Sequence, residues 1–306
     1  MENLIETIDL TKRYSKAVAL DSVSIHVRQG EIYGLIGKNG AGKSTLFKTM
    51  MGLAPKSFGE VKLFGDSSNS GLNTAHQRMG FMMGAHFFPY LSARENLEYF
   101  RKLKGIPDKN EVERVLKLVE MDKVKKKFKS FSMGMKQRVS IANALMGYPD
   151  IVVLDEPING LDPQGIADFR HLVQKLNKEN MTTFVVSSHI LGELGMMATR
   201  FGFIHNGQLI EEIDREVIRN KTKEQVIVKV SDVEKAAYLL EENFESIEYT
   251  INGDKELVIL KMTDRTADIA SLFVTNGLSL FKLDTQEISI EDYYLNLIAE
   301  GGVKNV

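Results

Sequence analysis

The 306-residue chain, 43% hydrophobic and 26% charged, has the length and apolar content of about two globular domains. Its formal net charge of −2 argues against bulk electrostatic binding to nucleic acid, and the absence of cysteine excludes disulfides, thiolate metal sites and a Cys nucleophile. No apolar run approaches the ~18 residues that span a bilayer, and residues 1–6 lack the basic and apolar regions of a signal peptide, so a membrane role is expected to go through a partner.

Residues 3–10 and 20–28 alternate apolar and polar side chains and read as antiparallel strands, with Gln29-Gly30 as the turn that follows. Tyr14 lies between them. Its ring either stacks on a nucleobase, worth ~1–3 kcal/mol, or packs against a sheet edge.

The apolar run 32–36 leads into Gly37-Lys38-Asn39-Gly40-Ala41-Gly42-Lys43-Ser44-Thr45 and then a helical stretch. Strand, glycine-rich turn and helix start are the context of a phosphate-binding loop. The glycines let successive amides curl inward around an anion, and the helix N-terminus adds its positive dipole end. Lys43 reaches for the β- and γ-phosphates, and the Ser44 hydroxyl suits Mg²⁺. A nucleoside triphosphate site is expected here.

Residues 59–65 read as a short strand between glycine turns, 67–73 as a polar turn, and 79–83 as another apolar strand. Residues 92–120 carry helical spacing in two pieces, interrupted by Gly105-Ile106-Pro107. Five lysines within 123–129 read as a solvated helix end, with a docking surface for acidic groups as the alternative.

Ile151-Val152-Val153-Leu154 lacks alternation and reads as a central parallel strand, ending in Asp155 and Glu156. Carboxylates at that end of an open α/β sheet lie where ligands bind. Asp155 suits Mg²⁺, and Glu156 suits a base for the attacking water. Residues 182–189 repeat the pattern and end in His189, either a γ-phosphate ligand or a structural histidine. Residues 201–213 read as a hairpin around Asn206-Gly207. The composition changes near Asn220, after which the order βαββαβ with a final helix at 292–298 suggests a small ferredoxin-like accessory domain without assignable chemistry.

Taken together, residues 1–215 resemble the ATP-binding subunit of an ABC transporter. Walker A is 37–45 and Walker B 151–156. The signature resembles Phe131-Ser132-Met133-Gly134-Met135-Lys136-Gln137-Arg138, the D-loop 159–163, and the switch histidine His189. The signature wording and the run Ser187-Ser188-His189-Ile190-Leu191 are similar to the bacitracin-export and lantibiotic-immunity branch.

The resemblance implies an α/β P-loop NTPase of ABC type over 1–220, with a helical subdomain at about 85–140, and a C-terminal domain over 221–306. It implies that Tyr14 stacks on adenine, that Lys43 and the loop amides hold phosphates, and that Ser44 and Asp155 hold Mg²⁺. Glu156 is then the general base and His189 a γ-phosphate contact. Ser132 and Gly134 would touch ATP bound by a second copy, with Asp162 in the D-loop beside them. The implied function is a cytoplasmic ATPase subunit, working as a homodimer or with a paralogous subunit, that drives export of a peptide antibiotic or similar amphipathic molecule through a separate permease. The alternatives are import, or a soluble ABC-type ATPase of translation or DNA repair.

Two positions depart from the family pattern. Met133 and Met135 replace a glycine and a glutamine of the signature. Gly84 stands where a Gln or Glu contacts Mg²⁺ and the attacking water, so that contact is lost, replaced by water or supplied by His86, and slower hydrolysis with altered coupling is expected. Residues 84–100 otherwise match the surface that couples to a permease, with Pro89 and 92–97.

Overall fold

The computed structural model describes residues 2–303 except 16, 85–86, 222–224, 254, 261 and 287–288. His86 lies outside the described residues, so its expected contact has no structural account. The described chain forms two compact units that divide between Arg215 and Glu216, five residues before the boundary read from composition.

The first unit opens with an antiparallel sheet. Strand β1 (Asn3–Tyr14) pairs with β2 (Ala17–Val23) and β3 (His26–Arg28), and later with β5 (Phe58–Leu63). The single strand read at 20–28 is therefore two, and Tyr14 ends β1 instead of lying in a loop.

Next come β4 (Ile32–Ile36) and helix α1 (Lys43–Met50). Helix α2 (Asn69–Gln77) replaces the polar turn expected at 67–73: the Ser68 hydroxyl accepts from the Gly71 amide and caps a helix that its Asn, Ser and Gly content conceals. Strand β6 (Met79–Met82) follows.

Helices α3 (Ala93–Leu103), α4 (Glu111–Leu118) and α5 (Met133–Ala144) build the helical part around a cluster of Phe87, Phe100, Phe128 and Phe131. The lysine run is not a helix end: residues 123–127 are turn and loop, and Lys129 lies in the short 3-10 turn Phe128–Ser130. The chain leaves α4 at Glu120, whose φ of 56° stops the helix, and Lys127 bridges to Ser92.

Strand β7 (Ile151–Asp155), α6 (Pro163–Asn180), β8 (Thr183–Ser188), α7 (Leu191–Met197), β9 (Arg200–His205) and β10 (Gln208–Asp214) complete the unit. The central sheet runs β10-β9-β4-β8-β7-β6, parallel except for β10. Residues 32–36, 151–154 and 183–188 are all buried, as unalternating runs require in a sheet covered on both faces. Asn206 and Gly207, with φ of 48° and 78°, make the two-residue turn between β9 and β10.

Parallel direction is what positions the site. The ends of β4, β7 and β8 share one sheet edge, with Ile36 beside Ser188 and Asp155 beside Ser187. Leu35, Phe47, Val153 and Val185 fill the core behind that edge.

Helix α8 (Arg215–Lys221) begins at the division. The second unit contains β11 (Gln225–Val230), α9 (Val233–Asn243), β12 (Glu248–Asn252), β13 (Glu256–Leu260), α10 (Thr266–Thr275), β14 (Leu280–Gln286) and α11 (Ile290–Val303), the last longer than the 292–298 expected. Its antiparallel sheet runs β12-β13-β11-β14. Val226, Val228, Leu257, Ile259, Ile269 and Phe273 form its core.

Candidate functional site

The loop from Gly37 to Thr45 leaves β4 and enters α1 with Gly42 as N-cap, at φ 111°. No side chain caps this helix, and no acid stands in its first turn. Its leading amides are therefore free of side-chain acceptors, which is the requirement for an anion site. Residues 38–45 line a groove of about 430 Å³ together with Val18, Ala19, Glu156, Asn206 and Gly207.

Lys43 is 6% exposed, and its ammonium donates to the Gly37 carbonyl at 2.5 Å and the Lys38 carbonyl at 3.3 Å. It also lies 3.1 Å from Glu156 Oε1. That oxygen is buried without a hydrogen bond of good geometry, so the contact is one of charge. Glu156 Oε2 meets His189 Nδ1 at 2.8 Å, which, with the carboxylate ionised, places the ring proton on Nδ1. Lys43, Glu156 and His189 thus form a row at the sheet edge.

Ser187 organises the two acids. Its hydroxyl donates to Asp155 Oδ1 at 2.7 Å and accepts from the Glu156 amide at 2.9 Å. Its place in the polar pair that ends the apolar run of β8, in register with Asp155, was the available signal for it. Gln137 gave none. It lies on α5, and its Nε2 donates to the carbonyls of Glu156 and Pro157.

Ser44 is exposed in the groove, and Asp155 is half-buried at the end of β7, with β8 between β7 and the strand that leads into the loop. Hydroxyl and carboxylate oxygens suit Mg²⁺, which commonly binds through one or two protein ligands and takes the rest of its shell from phosphates and water. The residues fit the ion.

The other expected positions lie outside the groove lining. Tyr14 is 46% exposed at the end of β1, with the Lys12 ammonium 4.6 Å from its ring centroid; Val18 and Ala19 take the near side of the groove. Ser132 caps α5 by accepting from the Met135 amide, and Gly134 faces Leu161. Asp162 caps α6 by accepting from the Gly165 amide at 3.0 Å. Gly84 has φ of 63°, with open space where a β-carbon would stand. A further cavity of about 380 Å³ includes Arg138, Asp168 and Phe169 and lacks the loop and both acids.

A family model described as ABC transporter matches residues 20–159. The chain is 37% identical to the bacitracin transport ATP-binding protein of Bacillus licheniformis, over 99% of this chain and 100% of that protein. It is 35% identical to the lantibiotic transport ATP-binding protein of Streptococcus pyogenes, over 68% of this chain and 90% of that one. Among solved structures it is similar to a dimeric ATP-binding cassette in a post-hydrolysis state with ADP and Pi, with a TM-score of 0.63 and 26% identity, over 69% of this chain and 98% of that one.

Proposed function

The chain belongs to the ABC transporter family, and from that premise we propose that it is the ATPase subunit of an exporter for a peptide antibiotic or similar amphipathic molecule, acting through a separate membrane permease. The observation that carries the reading is the row Lys43–Glu156–His189 beside an uncapped, acid-free helix N-terminus. Full-length similarity to a bacitracin transport ATP-binding protein supports the substrate class and disfavours a role in translation or DNA repair.

In the proposed mechanism the loop amides and Lys43 receive the triphosphate. Lys43 exchanges its charge contact with Glu156 for the β- and γ-phosphates. Glu156, still oriented by His189 and by Ser187 through its amide, accepts the proton of the water that attacks the γ-phosphorus. Mg²⁺, held by Ser44 and Asp155, would supply charge neutralisation at the phosphates. His189 follows the charge that builds there, and Tyr14 gives adenine a face to stack on.

The first turn of α5, capped by Ser132 and free of acids, presents amides to the triphosphate of a second copy, with Gly134 allowing close approach and Asp162 holding the adjoining loop. Hydrolysis removes the charge bridging the copies, so the pair opens and can pull on the permease. No described helix is long and apolar enough to cross a membrane, so attachment to the cytoplasmic membrane face is assigned to the permease.

The test is to purify the tagged chain from detergent-solubilised membranes and to challenge cells with bacitracin. A polytopic protein should co-purify, and Lys43→Ala should abolish any resistance the wild-type pair confers. Recovery with ribosomes or nucleic acid instead would overturn the reading.

A further inference from the structure

Glu156 carries the reacting carboxylate in the mechanism above, yet its backbone is in the left-handed region, at φ 51°. A non-glycine residue persists there only when its surroundings hold it. Two side chains do so, one at its amide and one at its carbonyl. Ser187, on the neighbouring strand, accepts from the Glu156 amide at 2.9 Å. Gln137, on α5, uses one amide nitrogen to donate to the Glu156 carbonyl at 3.0 Å and the Pro157 carbonyl at 2.7 Å.

The two clamps differ in what they are attached to. Ser187 belongs to the central sheet and moves with it. Gln137 is one turn into the helix whose capped N-terminus is Ser132. The same turn touches the loop after Glu156 at two more places: a β-carbon at Gly160 would stand 2.5 Å from Met133 Cγ, and one at Gly134 would stand 3.4 Å from Leu161. Residues 156–161 are therefore clasped by the first turns of α5. Among the described residues, Gln137 is the α5 side chain that hydrogen-bonds to the base's own backbone.

We propose that Gln137 is a positioning residue that ties the orientation of Glu156 to the position of the α5 N-terminus. This rests on the ATPase reading and on the role given there to Ser132 and Gly134. When a second copy's triphosphate draws that helix end inward, the two carbonyl bonds carry the Glu156 backbone with it. The carboxylate then comes into line with the attacking water only when the neighbouring site is also closed. Hydrolysis at one nucleotide thereby depends on occupancy of the other, through one amide group.

The experiment compares full-length wild type with Gln137→Met and Gln137→Glu. Both variants keep the side chain's length. Met removes the donor, and Glu also sets a charge against two carbonyl oxygens. Turnover against ATP concentration, ATP affinity by equilibrium binding and melting temperature are read for each.

Turnover should fall on the order of tenfold in Gln137→Met and further in Gln137→Glu, while ATP affinity stays within about twofold. Wild-type turnover should rise sigmoidally with ATP, and in both variants that dependence should flatten towards a Hill coefficient of one. A melting temperature that drops together with ATP affinity, with cooperativity intact, would show mere packing and overturn the proposal. So would wild-type turnover and cooperativity in both variants. Failure of the ATPase reading is separate: wild type itself would then show no turnover.

Discussion

The two units obey the same burial rules and differ in what their sheets leave at the edge. In the first, β4, β7 and β8 run parallel, so the residues that follow them, Lys43's loop, Asp155-Glu156 and His189, emerge on one side. In the second, every pairing is antiparallel, so neighbouring strands of the sheet end on opposite sides. Its cross-strand polar pairs, such as Lys229 with Glu256 at 3.1 Å, satisfy each other instead of converging on a groove. Strand direction, more than composition, decides which unit can assemble a reaction centre.

The largest test of that contrast is at Glu156. Glu156→Gln keeps the shape and removes the base, so turnover should fall by ~10²–10⁴. It also releases Lys43 from its charge partner, so ATP should bind at least as tightly and hold a dimer on size exclusion. A variant that stays monomeric in saturating ATP would break the two-copy mechanism.

The matching test in the second unit is Phe273→Ala. Phe273 is fully buried in that unit's core, so its loss should cost ~3–5 kcal/mol of local stability. ATP binding should be unchanged. Calorimetry with and without ATP checks it: ATP should raise the transition of the first unit, and the substitution should lower the other. A single transition that responds to both would mean that the two sheets share one cooperative fate.

The row of Lys43, Glu156 and His189 was legible because each residue ends or follows an unalternating apolar run, and such runs announce parallel strands. The second unit's element order was legible from turn and period signals alone. What stayed hidden depended on tertiary partners. Ser187 and Gln137 act through Glu156's backbone, and a sequence does not show that Glu156 has a left-handed φ. Helix α2 was concealed because Asn69, Ser70, Gly71 and Asn73 are poor helix formers, overridden by the Ser68 cap and by burial of Ala75. The lysine run told only that the segment is solvated, since charge carries no helix period when every other position is charged.

A smaller effect is expected at Gly84. There is room for a side chain, but its φ of 63° makes any other residue strained, by ~1 kcal/mol. Gly84→Gln should therefore lower stability by about that much while raising turnover and sharpening its Mg²⁺ dependence. Unchanged turnover and unchanged Mg²⁺ dependence would show that the missing amide does not limit hydrolysis.

The smallest effect belongs to the capping box of α3. Glu95 accepts from the Ser92 amide at 2.6 Å and from its hydroxyl at 2.7 Å, and meets Lys127 at 3.1 Å. These bonds, the backbone one foremost, hold its carboxyl down at about 2, against an ordinary 4.5. A carboxyl lowered on folding stabilises the native state above its unfolded value, and that contribution fades as pH falls from 4.5 towards 2. Unfolding midpoints in urea, followed from pH 6 down to pH 3, should therefore fall more steeply for wild type than for Glu95→Gln. The variant keeps a capping side chain but has no proton to gain. Because the site is fully solvated, added salt should narrow the difference by screening the Lys127 contribution and leave the Ser92 contribution in place. Parallel slopes for the two proteins at low salt would mean that solvent already supplies what the Ser92 bonds supply, and that α3 owes its start to burial of Ala93 and Leu97 alone.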